Sequence, residues 1–179
     1  MILPRELGTR RLLLRPFRRE DVDDALRYRD DPEFARFLPH IPQPFSRADA
    51  EAFVATNMRD PWESAPTYAV TLDGVVIGTV NLEIDAATRS AMIGYAIGRA
   101  WWGRGLATEA AGAVVAAAID GLGLTRVWAS TDADNHRSRR VLEKLGLVQE
   151  AVRVADHIGR DGVAVDEVVY ALAVARGSD

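Results

Sequence analysis

The stretch from Ile93 to Ala111 constrains this chain more than any other. Ile93-Gly-Tyr-Ala-Ile97 is an apolar run of strand length, and the chain then breaks at Gly98, Gly103 and Gly105. From Leu106 to Ile119 nearly every residue is small or apolar, which predicts a helix buried over most of its surface. A strand, a glycine-rich turn and a helix form the recipe for an anion site. Glycine lets the backbone turn tightly and approach a ligand without a Cβ in the way, and the first N–H groups of a helix lack partners within it. The donors would be Gly103 and Gly105, followed by Ala107 and Thr108. A glycine-softened loop before a core helix would carry the same pattern, so the spacing alone leaves both readings open. Two phosphate fingerprints fail: Gly-x-Gly-x-x-Gly would need glycine where Thr108 stands, and the chain has no P-loop Gly-Lys-Ser/Thr.

Around this stretch the pattern is that of a mixed α/β domain. Thr9 to Pro16 is expected as a first strand, Glu20 to Asp30 as an amphipathic helix, with a short helical piece after Pro32. Prolines at 39, 42 and 44 forbid a regular helix there and stiffen a loop. Ser46 and Asp49 make a capping-box-like start for a helix running to about Met58. Tyr68 to Leu72 and Val75 to Ile84 form a hairpin across Asp73-Gly74, a pair suited to a type I′ turn, and Ala91 to Ile97 follows as the next strand. Gly121 and Gly123 stop the central helix. Thr125 to Thr131 is a strand, and Asn135 to Leu145 a helix capped by Asn135 and ended by Gly146. Two final strands are expected near 147–154 and 163–174. The central helix is a crossover, so the strands that it joins should run parallel in a sheet otherwise mostly antiparallel.

One domain spanning residues 1–179 accounts for the length, and no shift in composition suggests a second. The absence of cysteine excludes disulfides, cysteine metal ligands and a cysteine nucleophile. Histidines at 40, 136 and 157 have no metal-ligand spacing, so no metal is expected. The N-terminus does not read as a signal peptide, and the longest apolar run, Ala110 to Ile119, is too short to span a bilayer. The cytoplasm is the expected location. A net charge of −4 argues against nucleic acid as a partner and mildly favours a cationic one, such as an amine.

Trp102-Gly-Arg-Gly-Leu-Ala-Thr-Glu-Ala110 resembles the acetyl-CoA site of the GNAT acyltransferases, Gln/Arg-x-x-Gly-x-Gly/Ala, and more closely that of their RimJ/RimL branch of protein N-terminal and ribosomal-protein acetyltransferases. The Gln/Arg position holds Ala100, with Arg99 beside it. A second segment, Asp134-Asn-His-Arg-Ser-Arg-Arg-Val-Leu-Glu-Lys-Leu-Gly-Leu147, resembles the same branch's Asn-x-x-Ser…Glu-Lys-Leu-Gly-Phe, with Leu147 in place of the aromatic. The resemblance covers nearly the whole chain. It implies an α/β fold whose central parallel strands splay apart around the pantetheine arm of acetyl-CoA, the co-substrate. It also implies cofactor contacts at Gly103, Arg104, Gly105, Ala107 and Thr108, oxyanion donors around Ala96 and Ile97, and Asn135 on the pantetheine arm. Ser138 would lie near the sulfur and could protonate the departing thiolate.

Several of these residues carry a plainer reading as well. Asn135 is also a helix N-cap, and Ser138 a polar residue of a first helical turn. Arg104, Arg137, Arg139 and Arg140 are the basic supply for phosphates, with Arg104 and Arg139 preferred, while Arg140 could pair with Glu143 on one helix face. Glu150 falls where RimL-type enzymes carry a glutamate that acts through water, which makes it the first candidate base; a solvated residue on a sheet edge fits it equally. Phe37, His40, Phe45 and Trp62 either line an acceptor pocket or anchor loops. The implied activity is transfer of an acetyl group from acetyl-CoA to a primary amine by direct attack, foremost a protein or peptide N-terminal α-amine. A small amine acceptor (antibiotic, polyamine or amino acid) and a non-catalytic acyl-CoA-binding module are the alternatives. Sheet edges and apolar loops are compatible with a homodimer.

Overall fold

The computed structural model describes residues 2–174. Where one strand was expected over 9–16, the chain makes two: β1 (Leu7–Gly8) and β2 (Leu13–Pro16). Thr9 causes the break, because its N–H donates to Leu12 O and its Oγ1 accepts from Leu12 N, both at 2.9 Å. Helix α1 (Val22–Arg29) follows, and the piece expected after Pro32 is a series of turns rather than a helix. Helix α2 (Arg47–Asn57) begins at the expected capping box, with Ser46 Oγ accepting from Asp49 N at 3.2 Å and Asp49 accepting from Ser46 N at 2.8 Å.

Strands β3 (Thr67–Leu72) and β4 (Val75–Asp85) meet at Asp73-Gly74, where φ is 51° and 83°, as a type I′ turn demands. Strand β5 (Ser90–Ile97) leads through the glycine turn into α3 (Leu106–Leu122), which ends at Gly123 in the left-handed conformation. Then come β6 (Arg126–Asp132), α4 (His136–Lys144), β7 (Val148–Ile158) and β8 (Ala164–Ala173). All eight strands join one sheet in the order β1-β2-β3-β4-β5-β6-β8-β7. Every pairing is antiparallel except β5 with β6.

Strand alternation divides the core between the two faces of the sheet. Tyr68 and Val70 pack with Leu106, Ala110 and Val114 of α3, whereas Ala69, Val76 and Ala96 pack with Tyr28, Phe45 and Val54 from the α1–α2 side. The parallel pair is short. Ser90, Ala91 and Met92 face Arg126, Val127 and Trp128, and beyond that β5 stays on β4 while β6 stays on β8. A wedge therefore opens between the C-terminal ends of β5 and β6. No helix among the described residues is long and apolar enough to cross a membrane.

Candidate active site

The glycine turn sits at the head of this wedge. Gly103 and Gly105 both have φ of 74°, a conformation that disfavours a residue with a Cβ, and Gly105 caps α3. Glu109 N donates to Gly105 O, but among the described residues no acceptor meets the backbone N–H groups of residues 103–108. Successive backbone donors at a helix N-terminus can receive the oxygens of an anion. Gly103, Arg104, Gly105, Ala107 and Thr108 thus lie together, as the spacing implied. Their neighbours hold the turn in place: Arg11 donates to Arg104 O at 3.0 Å and pairs with Glu109 at 2.6 Å.

The four arginines divide. Arg104, Arg137 and Arg140 are exposed, and the Arg137 guanidinium lies 4.3 Å above the Trp102 ring, beside the glycine turn. Arg139 points the other way. It donates to Tyr170 Oη at 3.0 Å, to Ala133 O at 3.1 Å and to Gln149 Oε1 at 3.3 Å, so its fork ties α4 to β7 and β8 and leaves little for a phosphate.

Gly98 N donates to Ile77 O at 2.8 Å, which fixes the alternation along β5. Ala96 N–H points into the ladder with β4, whereas the N–H groups of Tyr95 and Ile97 point to the open side. Ile97 O on that side accepts from Trp102 Nε1 at 2.6 Å. Opposite them stands the start of α4. Asn135 Oδ1 accepts from Ser138 N at 3.2 Å, leaving the Asn135 amide –NH2 as a donor. Ser138 Oγ lies 2.9 Å from Tyr95 Oη, and Tyr95 Oη donates to Ser138 O at 3.0 Å. Burial lifts the Tyr95 phenol above its ordinary value, against the opposing hydrogen bond with Ser138, and so keeps it protonated.

A cavity of about 530 Å³ opens from the wedge and is lined by Tyr95, Asn135 and Ser138, by Asp132 and His157, and by Arg29. Phe37 and His40 also line it, whereas Phe45 is buried behind Arg29 and Trp62 is buried against Tyr68, donating to Leu3 O. Glu150 lies elsewhere. Pairing steps from Gln149↔Tyr170 to Ala151↔Val169, so Glu150 is the extra residue of a bulge. It is exposed and holds Arg126 in a bidentate pair at 2.5 and 2.6 Å, which lowers its carboxyl below the usual range. A second irregularity, between Arg153 and His157, turns the chain at Ala155 (φ 52°) and brings His157 Nε2 to 3.3 Å from Asp132 Oδ1. Burial raises the Asp132 carboxyl above its usual value; His157 opposes this, and Glu167 and Asp134 add to it. The sequence singled out none of Tyr95, Asp132 or Arg29. Asp132 had one signal, its place at the C-terminal end of a strand of the parallel pair, where α/β sheets gather ligands.

The comparisons agree with this geometry. The family model described as Acetyltransferase (GNAT) domain matches residues 11–148. The chain is 28% identical over 169 residues to the uncharacterized N-acetyltransferase p20 of Bacillus licheniformis, covering 93% of this chain and 94% of p20. Among solved structures it superposes with a TM-score of 0.83 on the microcin C7 self-immunity acetyltransferase MccE in complex with acetyl-CoA and AMP, at 21% identity and over 93% of this chain and 94% of MccE. It superposes with a TM-score of 0.81 on the ribosomal-protein-S5-alanine acetyltransferase of Vibrio fischeri, at 18% identity and over 94% and 96% of the two chains. At those identities the two structures speak for the fold alone.

Proposed function

This chain belongs to the GNAT family of acetyltransferases and is an acetyl-CoA-dependent N-acetyltransferase, and on that premise we propose that residues 103–108 hold the phosphates of acetyl-CoA and that an α-amine in the cavity beyond attacks its thioester. One observation carries the reading: the wedge between β5 and β6 gathers open N–H donors, a hydroxyl pair and a carboxylate around one cavity. The unbroken sheet supports a single domain over the whole chain.

Each side chain then has work that its position suits. Ile97 N–H, with Tyr95 N–H on the same edge, donates to the carbonyl oxygen as negative charge builds there. Asn135 holds the pantetheine arm through its free amide. Asp132 takes the proton that the amine loses as its nitrogen bonds to the acetyl carbon. Its raised proton affinity suits it to that task, whereas pairing with Arg126 makes Glu150 a poorer base. As the carbon–sulfur bond breaks, Ser138 Oγ, held 2.9 Å from Tyr95 Oη, passes a proton to the departing sulfur and regains one from solvent. Arg137 and Arg104 are the better placed cations for the phosphates.

One of the two solved structures is named for a ribosomal protein and the other for microcin self-immunity while the fold is shared, so the acceptor has to be sought in the cavity. An N-terminal α-amine remains within reach of Asp132, as does a small amine. The test is release of CoA thiol from acetyl-CoA, with and without peptides that begin in alanine or serine and with and without small amines. Amine-dependent release supports transfer. Tight acetyl-CoA binding with no amine-dependent release would reduce the chain to a binding module.

A further inference from the structure

Arg29 ends α1 and is only 7% exposed, yet it lines the cavity. Among the described residues its side chain makes no salt bridge, a polar neighbour is the Tyr28 hydroxyl, itself buried, and Nε is buried with no acceptor. Three rings surround the guanidinium, Phe53 at 3.8 Å, Phe45 at 5.1 Å and Phe34 at 6.0 Å from their centroids. Cation–π attraction offsets part of the desolvation but supplies no oxygen for the N–H fork. Elsewhere the chain satisfies a buried arginine fully. Arg15 makes two bonds of 2.8 Å to Asp21. The charge of Arg29 is felt across the cavity, where desolvation, then Arg29 and Arg160, hold the His40 imidazole below its usual value. Arg160 itself is occupied, donating to the carbonyls of Ala35, Leu38 and Ile41.

The rest of the cavity has the opposite sign. Asp132 and Glu167 line it, Glu167 with one oxygen held by Arg153 at 2.8 Å, and an ammonium group is what such carboxylates attract. The wall is therefore bipolar. We infer that the acceptor is a small zwitterion, an amine that also carries a carboxylate or phosphate, and that Arg29 receives this anionic group. This rests on the reading of the cavity as the acceptor site and narrows it. A protein N-terminus without an acidic side chain offers an amide carbonyl near its amine and no anion, so it would leave the guanidinium unmatched. A purely structural arginine, serving only the phenylalanine cluster, would do no better there than a methionine that needs no desolvation.

The experiment compares acceptor pairs differing only in the anion, with acetyl-CoA saturating. Each α-amino acid is run beside its carboxamide, phosphoethanolamine beside ethanolamine, and an alanine-started peptide with an amidated C-terminus beside both sets. An anionic member should exceed its neutral partner in kcat/KM by about 10- to 100-fold, the scale of a charge-assisted hydrogen bond. Whether the amino acid or the phosphoethanolamine set contains it identifies the anion as carboxylate or phosphate. Arg29→Met should erase that preference through KM for the acceptor, leaving KM for acetyl-CoA unchanged. Equal rates for anionic and neutral members, or preference for the peptide, would overturn the inference and leave the cavity reading standing. If no amine of any kind is acetylated, both fall. The wild-type comparison decides even if the Arg29→Met protein does not fold.

Discussion

At the scale of single residues the chemistry turns on where three protons sit. Ser138 and Tyr95 share one hydrogen bond, so removing either hydroxyl should slow the departure of sulfur. Because a thiol with a pKa of about 8.5 leaves without much help, the loss in kcat for Ser138→Ala should be about tenfold, with acetyl-CoA affinity unchanged. An unaltered rate would return Ser138 to the role of a helix-turn residue. Asp132 makes a sharper prediction. Its carboxyl is raised in the fold, so kcat/KM should climb with pH along a limb lying above the ordinary carboxylate range, as the base ionises. His157 favours the charged form, so His157→Gln should move that limb to higher pH, and Asp132→Asn should remove it along with most of the rate. Glu150→Gln should leave both limb and rate in place. A pH–rate profile that moved with Glu150 rather than Asp132 would restore the sequence-based choice of base.

Elements with local causes were legible in the sequence, and elements with long-range causes were not. The Asp73-Gly74 turn, the Ser46 capping box and the Gly123 stop each depend on a few adjacent residues, and each formed where expected. The glycine turn was legible for the same reason. The two irregularities in β7 were not, because nothing in Val148–Ile158 departs from ordinary strand composition and the extra residues exist only relative to β8. Those bulges decide that His157 faces the cavity and Glu150 does not. Arg139 misled for a similar reason, since its partners Tyr170 and Gln149 come from other elements. The attachment of the β1–β2 turn to α3 is another long-range cause. Glu109 is half-buried, yet the bonds it accepts from Thr9 and Arg11 outweigh desolvation and lower its carboxyl below the usual range. A depressed folded-state value means stabilisation present above the unfolded pKa and lost as pH falls through the folded one. Glu109→Gln should therefore destabilise the protein at neutral pH, by about 1–2 kcal/mol in urea unfolding. The difference between the two proteins should close in acid. A gap independent of pH would mean that packing rather than charge holds the turn. Gly105→Glu acts on the same element from the ligand side. A left-handed residue with a Cβ and an added carboxylate in the turn should weaken acetyl-CoA binding by at least about a hundredfold.

In the molecule as a whole, the sheet is weakest where the site is built. Among the described residues only Ser90–Met92 and Arg126–Trp128 pair β5 with β6, so the strands β1–β5 and the strands β6, β8 and β7 meet in this short ladder and are also joined by α3, the Tyr95–Ser138 bonds and Arg160. That a crossover helix makes its strands parallel was predictable from its length, but that they part after three pairs depends on β4 and β8 each keeping its neighbour. A ligand in the wedge, bonded to β5 on one side and to Asn135 on the other, would close this seam. Binding to the folded state alone adds RT ln(1 + [L]/Kd), about 2.7 kcal/mol at a hundred times Kd, which should raise Tm by several degrees. Acetyl-CoA and CoA should both do so, and ATP, which lacks the arm, should do less. Hydrogen exchange locates the effect. The amides of Tyr95 and Ile97, which face the gap, should gain protection with acetyl-CoA, as should those of residues 103–108. The amide of Ala96, already bonded to β4, should change little. Equal protection along all of β5 would mean that the ligand stiffens the sheet at large. Protection confined to residues 103–108 would mean that the phosphates bind while the arm lies outside the wedge.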